Sequence, residues 1–143
     1  MERIVVGISG ASGTHLACRF VSQLKQYTEC EVHVVVTDSG RLTASYEEPE
    51  LFDKALALAD NVHSNASLGE SIASGTFKTE GMVIIPCSMK TVAGIASVIP
   101  GTLASCAKLR KWIAFIGVSR ATKTNGRCSF NVTSAARSNR LSL

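Results

Sequence analysis

Residues 5–13 read Val-Val-Gly-Ile-Ser-Gly-Ala-Ser-Gly, and residues 86–91 read Pro-Cys-Ser-Met-Lys-Thr. Each run carries residues that could hold an anion. In the first, Gly7, Gly10 and Gly13 fall three apart, with Ser9 and Ser12 between them. Glycines let a backbone turn tightly and approach a ligand, and a helix beginning there offers free N–H groups to a phosphate. The spacing is neither the dinucleotide GxGxxG nor a P-loop, which also needs Gly-Lys-Ser/Thr. A phosphate-type ligand and close helix–sheet packing both explain it. In the second run, the hydroxyls of Ser88 and Thr91 and the ammonium of Lys90 suit an anionic or hydroxyl-rich ligand. Capping of a following helix by Ser88 explains them equally well. Thr37-Asp38-Ser39 is a third polar group, readable as ligand contact or as turn chemistry.

Other reactive residue types point away from chemistry. Cys87 has no assignable electropositive neighbour, so it reads as a packed thiol rather than a nucleophile. His15, His33 and His63 lack ligand spacing, and no metal site is expected. Glu47 and Glu48, just before Pro49, read as a solvated acidic pair. Ser74-Gly75-Thr76-Phe77 reads as a plain loop or as a lid.

The elements that must position these residues alternate. Residues 3–8 form a β-branched run ended by glycine, which reads as a buried strand. Leu16, Ala17, Phe20, Val21 and Leu24 then recur at helical spacing, with Ser12 as the expected N-cap. A second strand spans 31–37 and stops at Asp38-Ser39-Gly40. Pro49 opens a second helix through Leu51, Phe52, Ala55, Leu56, Leu58 and Ala59. A third strand covers 81–87, and another helix begins in 90–97. Such alternation predicts an α/β fold with a parallel sheet covered on both faces. Ligands of such sheets bind beyond the carboxyl ends of the strands, where all three polar groups fall.

The 143 residues suffice for one domain with a core. No apolar run is long enough to span a membrane, and the start carries no signal-peptide pattern, so a cytoplasmic protein is expected. Five cysteines without a CxxC pair fit reduced thiols. Charge is unevenly placed. Residues 1–97 hold 7 Lys/Arg and all 11 Asp/Glu, whereas residues 98–143 hold 8 Lys/Arg and no acid. A compositional boundary therefore falls near Ser97.

Taken together, Val6-Gly7-Ile8-Ser9-Gly10-Ala11-Ser12-Gly13, Val36-Thr37, Ala57-Leu58-Ala59-Asp60, Ile72-Ala73-Ser74-Gly75-Thr76-Phe77 and Gly81-Met82-Val83-Ile84-Ile85-Pro86-Cys87-Ser88-Met89-Lys90-Thr91-Val92-Ala93-Gly94-Ile95 resemble the UbiX-type flavin prenyltransferases, formerly called aromatic acid decarboxylases. The resemblance covers residues 1–97. It implies a Rossmann-like, flavodoxin-like sheet, incomplete here at its C-terminal side, and FMN as cofactor with no metal. It implies transfer of a dimethylallyl group from dimethylallyl phosphate to reduced FMN, with a UbiD-type decarboxylase receiving the prenylated flavin. It assigns Gly10, Ala11 and Ser12 to the flavin, with Ser12 as the catalytic candidate beside the reacting ring. Thr37, Ser88, Met89, Lys90 and Thr91 would hold the ribityl–phosphate part or ring edge. A homo-oligomer is expected to bury surface left by an incomplete sheet.

Beyond Ser97 the resemblance stops. The family's Gly-Tyr-Ser/Ala-x-Asn-Leu segment is replaced by Val98-Ile99-Pro100-Gly101-Thr102-Leu103. Those residues admit codons that, read one base earlier, give Gly-Tyr-Ser-Gly-Asn-Leu. A shifted reading frame would make 98–143 an unrelated basic tail; the coding DNA decides this, since the family's later segments must then stand in the neighbouring frame. Within the tail, 112–118 is the one apolar run and could serve as a surrogate strand, while 120–143 reads as disordered. The family's Arg-Glu segment, which handles the prenyl phosphate, has no counterpart in the tail. Three alternatives to an active prenyltransferase therefore stand: a non-catalytic FMN-binding remnant, unspecific nucleic-acid binding through the basic tail, and a flavoprotein decarboxylase of cysteine-derived thiols.

Overall fold

A computed structural model of the chain describes residues 2–66, 72, 74, 76–96, 112–124 and 127–138. Its elements run β1 (Arg3–Ile8), α1 (Thr14–Tyr27), β2 (Glu31–Val36), α2 (Asp38–Glu47), α3 (Pro49–Leu58), β3 (Asn61–Ser64), β4 (Gly81–Ile84), α4 (Met89–Ala96), β5 (Trp112–Thr124) and β6 (Arg127–Ser138). The sheet order is β3-β2-β1-β4-β5-β6. The first five strands in that order pair in parallel and β6 joins antiparallel.

The expected α/β sheet is present, and apolar clusters lie on both faces of its β1, β2 and β4 strands. On one face Val6, Ile8, Val32, Val34 and Val36 pack against Ala17, Cys18 and Val21 of α1, Ala44 of α2, and Phe52 and Ala55 of α3. On the other, Val5, Val35, Met82 and Ile84 meet Ile72, Cys87 and Ile95, with Phe77 and Val92 alongside. Alternate residues of one strand feed opposite cores, so continuous Val/Ile runs are what a doubly covered sheet requires. Burying each such side chain is worth about 1.5–3 kcal/mol.

Four local expectations need correction. The second strand stops at Val36, and residues from Asp38 form α2 rather than a turn. That helix has no apolar stripe to see, because Gly40 and Ala44 are its core-facing residues. Gly40 is small by necessity: a Cβ there would lie 2.8 Å from the Ile8 carbonyl oxygen. The short strand β3 was also hidden, since of its four residues only His63 is buried. Ser12 is not the N-cap of α1; Gly13 takes that place at φ 107°, a left-handed conformation that favours glycine. Finally, 112–118 forms a strand as expected, but β5 continues to Thr124 and pairs with β6 where disorder was expected. Only Ile113, Ala114 and Phe115 of β5 register with β4; the remainder pairs with β6 alone, and backbone pairing of that kind needs no apolar periodicity.

A polar chain crosses one face of the sheet near the strands' amino ends. Arg3 Nε donates to Glu31 Oε2 at 2.7 Å, and its guanidinium sits over the Phe77 ring at 5.0 Å. Glu31 Oε1 lies 3.2 Å from His33 Nε2, and His33 Nδ1 lies 2.9 Å from His63 Nε2. Burial pushes the His33 pKa below 6.5; Glu31 opposes this and His63 adds to it. A histidine depressed in the fold makes the unfolded chain the stronger proton binder. Stability is thus expected to hold above pH 6.5 and to fall as pH drops below it, by at most about 1.4 kcal/mol per pH unit from this group. Thermal midpoints between pH 7.5 and 5.5 check this, and His33→Asn should flatten the slope. An equal slope in the variant would remove His33 as its source.

Candidate functional site at the strand ends

Three strand-end segments, called loops below, follow the carboxyl ends of adjacent strands: 9–13 after β1, 37–40 after β2, running into the first turn of α2, and 86–91 after β4, running into the first turn of α4. Residues 8, 9 and 10 tie them together. The Thr37 amide donates to the Ile8 carbonyl at 3.0 Å. Ser9 Oγ donates to the Pro86 carbonyl at 2.7 Å and accepts the Ser88 amide at 2.9 Å. The Gly10 carbonyl accepts Thr43 Oγ1 at 3.0 Å. The expected groups are thus brought to one end of the sheet.

Each polar residue also has a local role. Thr37 caps α2, its Oγ1 accepting the Gly40 amide at 3.0 Å and lying 3.1 Å from Ser39 Oγ. Ser88 caps α4, accepting the Thr91 amide at 3.3 Å, and its hydroxyl pairs with Thr91 Oγ1 at 2.9 Å. Met89 and Lys90 are exposed, Met89 to 78%. The first amides of α2 and α4 have no intrahelical acceptor and carry the positive ends of their helix dipoles.

The glycine turn behaves differently from its sequence reading. Gly10 does not have a positive φ; it is required because a Cβ would fall 2.6 Å from Ser39 Cβ and 3.2 Å from the Ser39 backbone carbon. The amides at the start of α1 are already occupied. Glu47, at the end of α2, accepts the Thr14 amide at 2.9 Å and the Gly13 amide at 3.1 Å, and also accepts Ser12 Oγ. Burial opposes its ionisation, but the hydrogen bonds from Ser12, Thr14 and Gly13 outweigh this and hold its pKa below the usual range. Glu47 is therefore not a solvated acid. It is the internal anion at the α1 terminus, and it fixes the exposed Ser12 hydroxyl with its lone pairs free to accept. A bound phosphate is consequently better served at α2 and α4 than at α1.

The remaining candidates resolve simply. Cys87 is buried, and burial pushes its thiol up to about 11, so it is not a nucleophile at neutral pH. Among the described residues, no group of three or more potential ligands could hold a metal. A separate hollow lined by Glu2, Thr28, Glu29 and Cys30 lies at the amino ends of β1 and β2, opposite the three loops. Its carboxylates suit no flavin phosphate. Among the described residues, no helix is long and apolar enough to cross a membrane.

Known proteins resemble this chain in sequence and in fold. Over 95 residues the chain is 47% identical to a probable UbiX-like flavin prenyltransferase of Sedimentibacter hydroxybenzoicus, covering 66% of this chain and 50% of that protein. The crystal structure of a dodecameric FMN-dependent UbiX-like decarboxylase from Escherichia coli O157:H7 superposes with a TM-score of 0.71 at 34% identity, covering 78% of this chain and 63% of the other. AnUbiX in complex with FMN and dimethylallyl pyrophosphate superposes with a TM-score of 0.70 at 32% identity, covering 76% and 57%. The chain spans about half the length of the curated relatives it matches. The family model described as Flavoprotein matches residues 1–115. With its flavodoxin-like sheet and its UbiX-type relatives, the chain belongs to the Flavoprotein family.

Proposed function

We propose that this chain binds FMN across the three strand-end loops. One observation carries the reading: hydroxyls and free helix-start amides are stitched together at the carboxyl ends of β1, β2 and β4. The donor set fits the polar tail of FMN. Thr37, Ser39, Ser88 and Thr91 supply hydroxyls, and Lys90 is the one cation these loops carry. Gly10, Ala11 and Ser12 present a low rim against which a flat ring can lie, and exposed Met89 borders the opposite loop. Buried free thiols at Cys18, Cys30 and Cys87 suit a cytoplasmic setting.

The reaction to weigh is that of the UbiX-type prenyltransferases the chain resembles, prenyl transfer from dimethylallyl phosphate to reduced FMN, with a UbiD-type decarboxylase as the proposed recipient. When bound, reduced FMN supplies the nucleophilic ring atoms. Ser12 Oγ would meet that ring with its proton held on Glu47, orienting rather than attacking. Lys90 and the α4 amides would neutralise the flavin phosphate. A second, leaving phosphate needs its own cationic site, and the loops hold no further Lys or Arg. We therefore favour the FMN-binding remnant over an active transferase for this chain. Self-association, as in the dodecameric relative, is part of the proposal, because Leu42, Tyr46 and Met89 stand exposed around the site elements. Titration of FMN fluorescence with the purified protein tests the binding reading, which expects saturable quenching.

A further inference from the structure

We propose that Ser9 is the positioning residue that sets the two flavin-facing loops of β1 and β4 against each other, acting through Ser88. This rests on the FMN reading above. Ser9 is 2% exposed, among the few buried polar side chains of the described residues. Its hydroxyl is used in both directions. It donates to the Pro86 carbonyl at 2.7 Å and accepts the Ser88 amide at 2.9 Å, across 77 and 79 residues of sequence. The Ser9 amide reaches the same Pro86 carbonyl at 3.2 Å.

The consequence passes along a chain of bonds. Ser88 is held by its amide, and its own hydroxyl then holds the Thr91 amide and the Thr91 hydroxyl. Ser9 itself leads directly into Gly10, Ala11 and Ser12. One buried hydroxyl thus fixes the spacing between the rim and the polar-tail donors. β1 and β4 are independently registered, Gly7 opposite Ile84, and the Pro86 carbonyl still accepts the Ser9 amide if the hydroxyl is lost. Removing Ser9 Oγ should therefore loosen the loops without dismantling the sheet. Ser88 N–H is left without its partner, the costly half of a broken hydrogen bond.

The test compares Ser9→Ala, Ser9→Thr and a control, Ser22→Ala. Ser22 Oγ bonds the Cys18 carbonyl within α1, so the control removes a hydroxyl bond away from the loops. Ser9→Ala should weaken FMN binding about tenfold, because the two loops lose their fixed spacing, and should lower the thermal midpoint by a few degrees without unfolding the sheet, because the Ser88 amide loses its acceptor. Ser9→Thr, which keeps the hydroxyl, should restore most of the affinity, and Ser22→Ala should leave it unchanged. Amide hydrogen exchange on the flavin-free protein provides a readout independent of the ligand. Ser88 and Thr91 amides should exchange about tenfold faster in Ser9→Ala, while β1 and β4 amides stay as in the parent. Unchanged Ser88 exchange overturns the inference whatever the flavin does. Parent protein that fails to bind FMN refutes the functional reading alone, and exchange then decides the role of Ser9. Equal FMN affinity in Ser9→Ala and parent overturns the inference as well.

Discussion

Gly10→Val is expected to abolish saturable FMN binding and to lower the thermal midpoint together. Any Cβ at this position enters the space of Ser39, lying 2.6 Å from its Cβ and 2.7 Å from its Oγ. The Oγ can rotate away, but the Cβ and the backbone carbon at 3.2 Å cannot. The start of α2 must then withdraw from the β1 loop. That strains the Thr43–Gly10 bond and moves Thr37 relative to Ile8. Overpacking of this kind typically costs about 1–3 kcal/mol. Valine adds two methyl groups beyond the Cβ to the rim proposed for the flavin ring. Calorimetry and FMN titration on the same preparation check both halves. Unchanged flavin retention in a stably folded variant would place the ligand in another loop.

The second large effect is an absence of product. With reduced FMN and dimethylallyl phosphate, the chain should form no prenyl adduct above a no-protein control. Such transfer depends on fixed alignment of the allyl carbon over the ring and on stabilisation of the departing phosphate. Loss of a single preorganised donor costs about 10²–10³-fold in rate. Here Lys90 is the one cation of the three loops, and the binding mode proposed above assigns it to the flavin phosphate. Mass spectrometry of the flavin fraction reads the outcome directly. Adduct formed well above the control would make this chain a working transferase and dismiss the remnant reading.

Much of this was legible in the residues, for identifiable reasons. Strands β1, β2 and β4 announce themselves because a sheet buried on both faces needs uninterrupted Val and Ile. Helices α1 and α3 show apolar spacing because each turns an apolar stripe into the same core, α1 against the sheet and α3 against α1. Helix α2 was missed because its contact with β1 is made by glycine and alanine, which leave no hydrophobic signal. Missing α2 hid Glu47 as well, since nothing then carried its carboxylate back to Gly13 and Thr14. The one available clue was Thr37 followed by Asp38, an N-cap and an acidic first turn. Gly10 has a contact with Ser39 of α2 that its sequence context does not show, because a glycine demanded by a neighbouring helix looks the same in sequence as one demanded by a ligand.

The site residues divide along the same line. The capping role of Ser88 is legible, since a hydroxyl between a strand and a helical stretch suits an N-cap, and it accepts the Thr91 amide there. The stitching by Ser9 could not be read, because it joins positions 77 and 79 residues apart through one oxygen. Only the parallel register of β1 with β4 brings them within reach.

The most direct measurement is equilibrium titration of FMN with the purified chain, followed by flavin fluorescence, alongside Gly10→Val. Binding at the three strand-end loops predicts saturable quenching by the parent chain and none by the variant. Failure of the parent chain to quench FMN, or equal quenching by both, would contradict it.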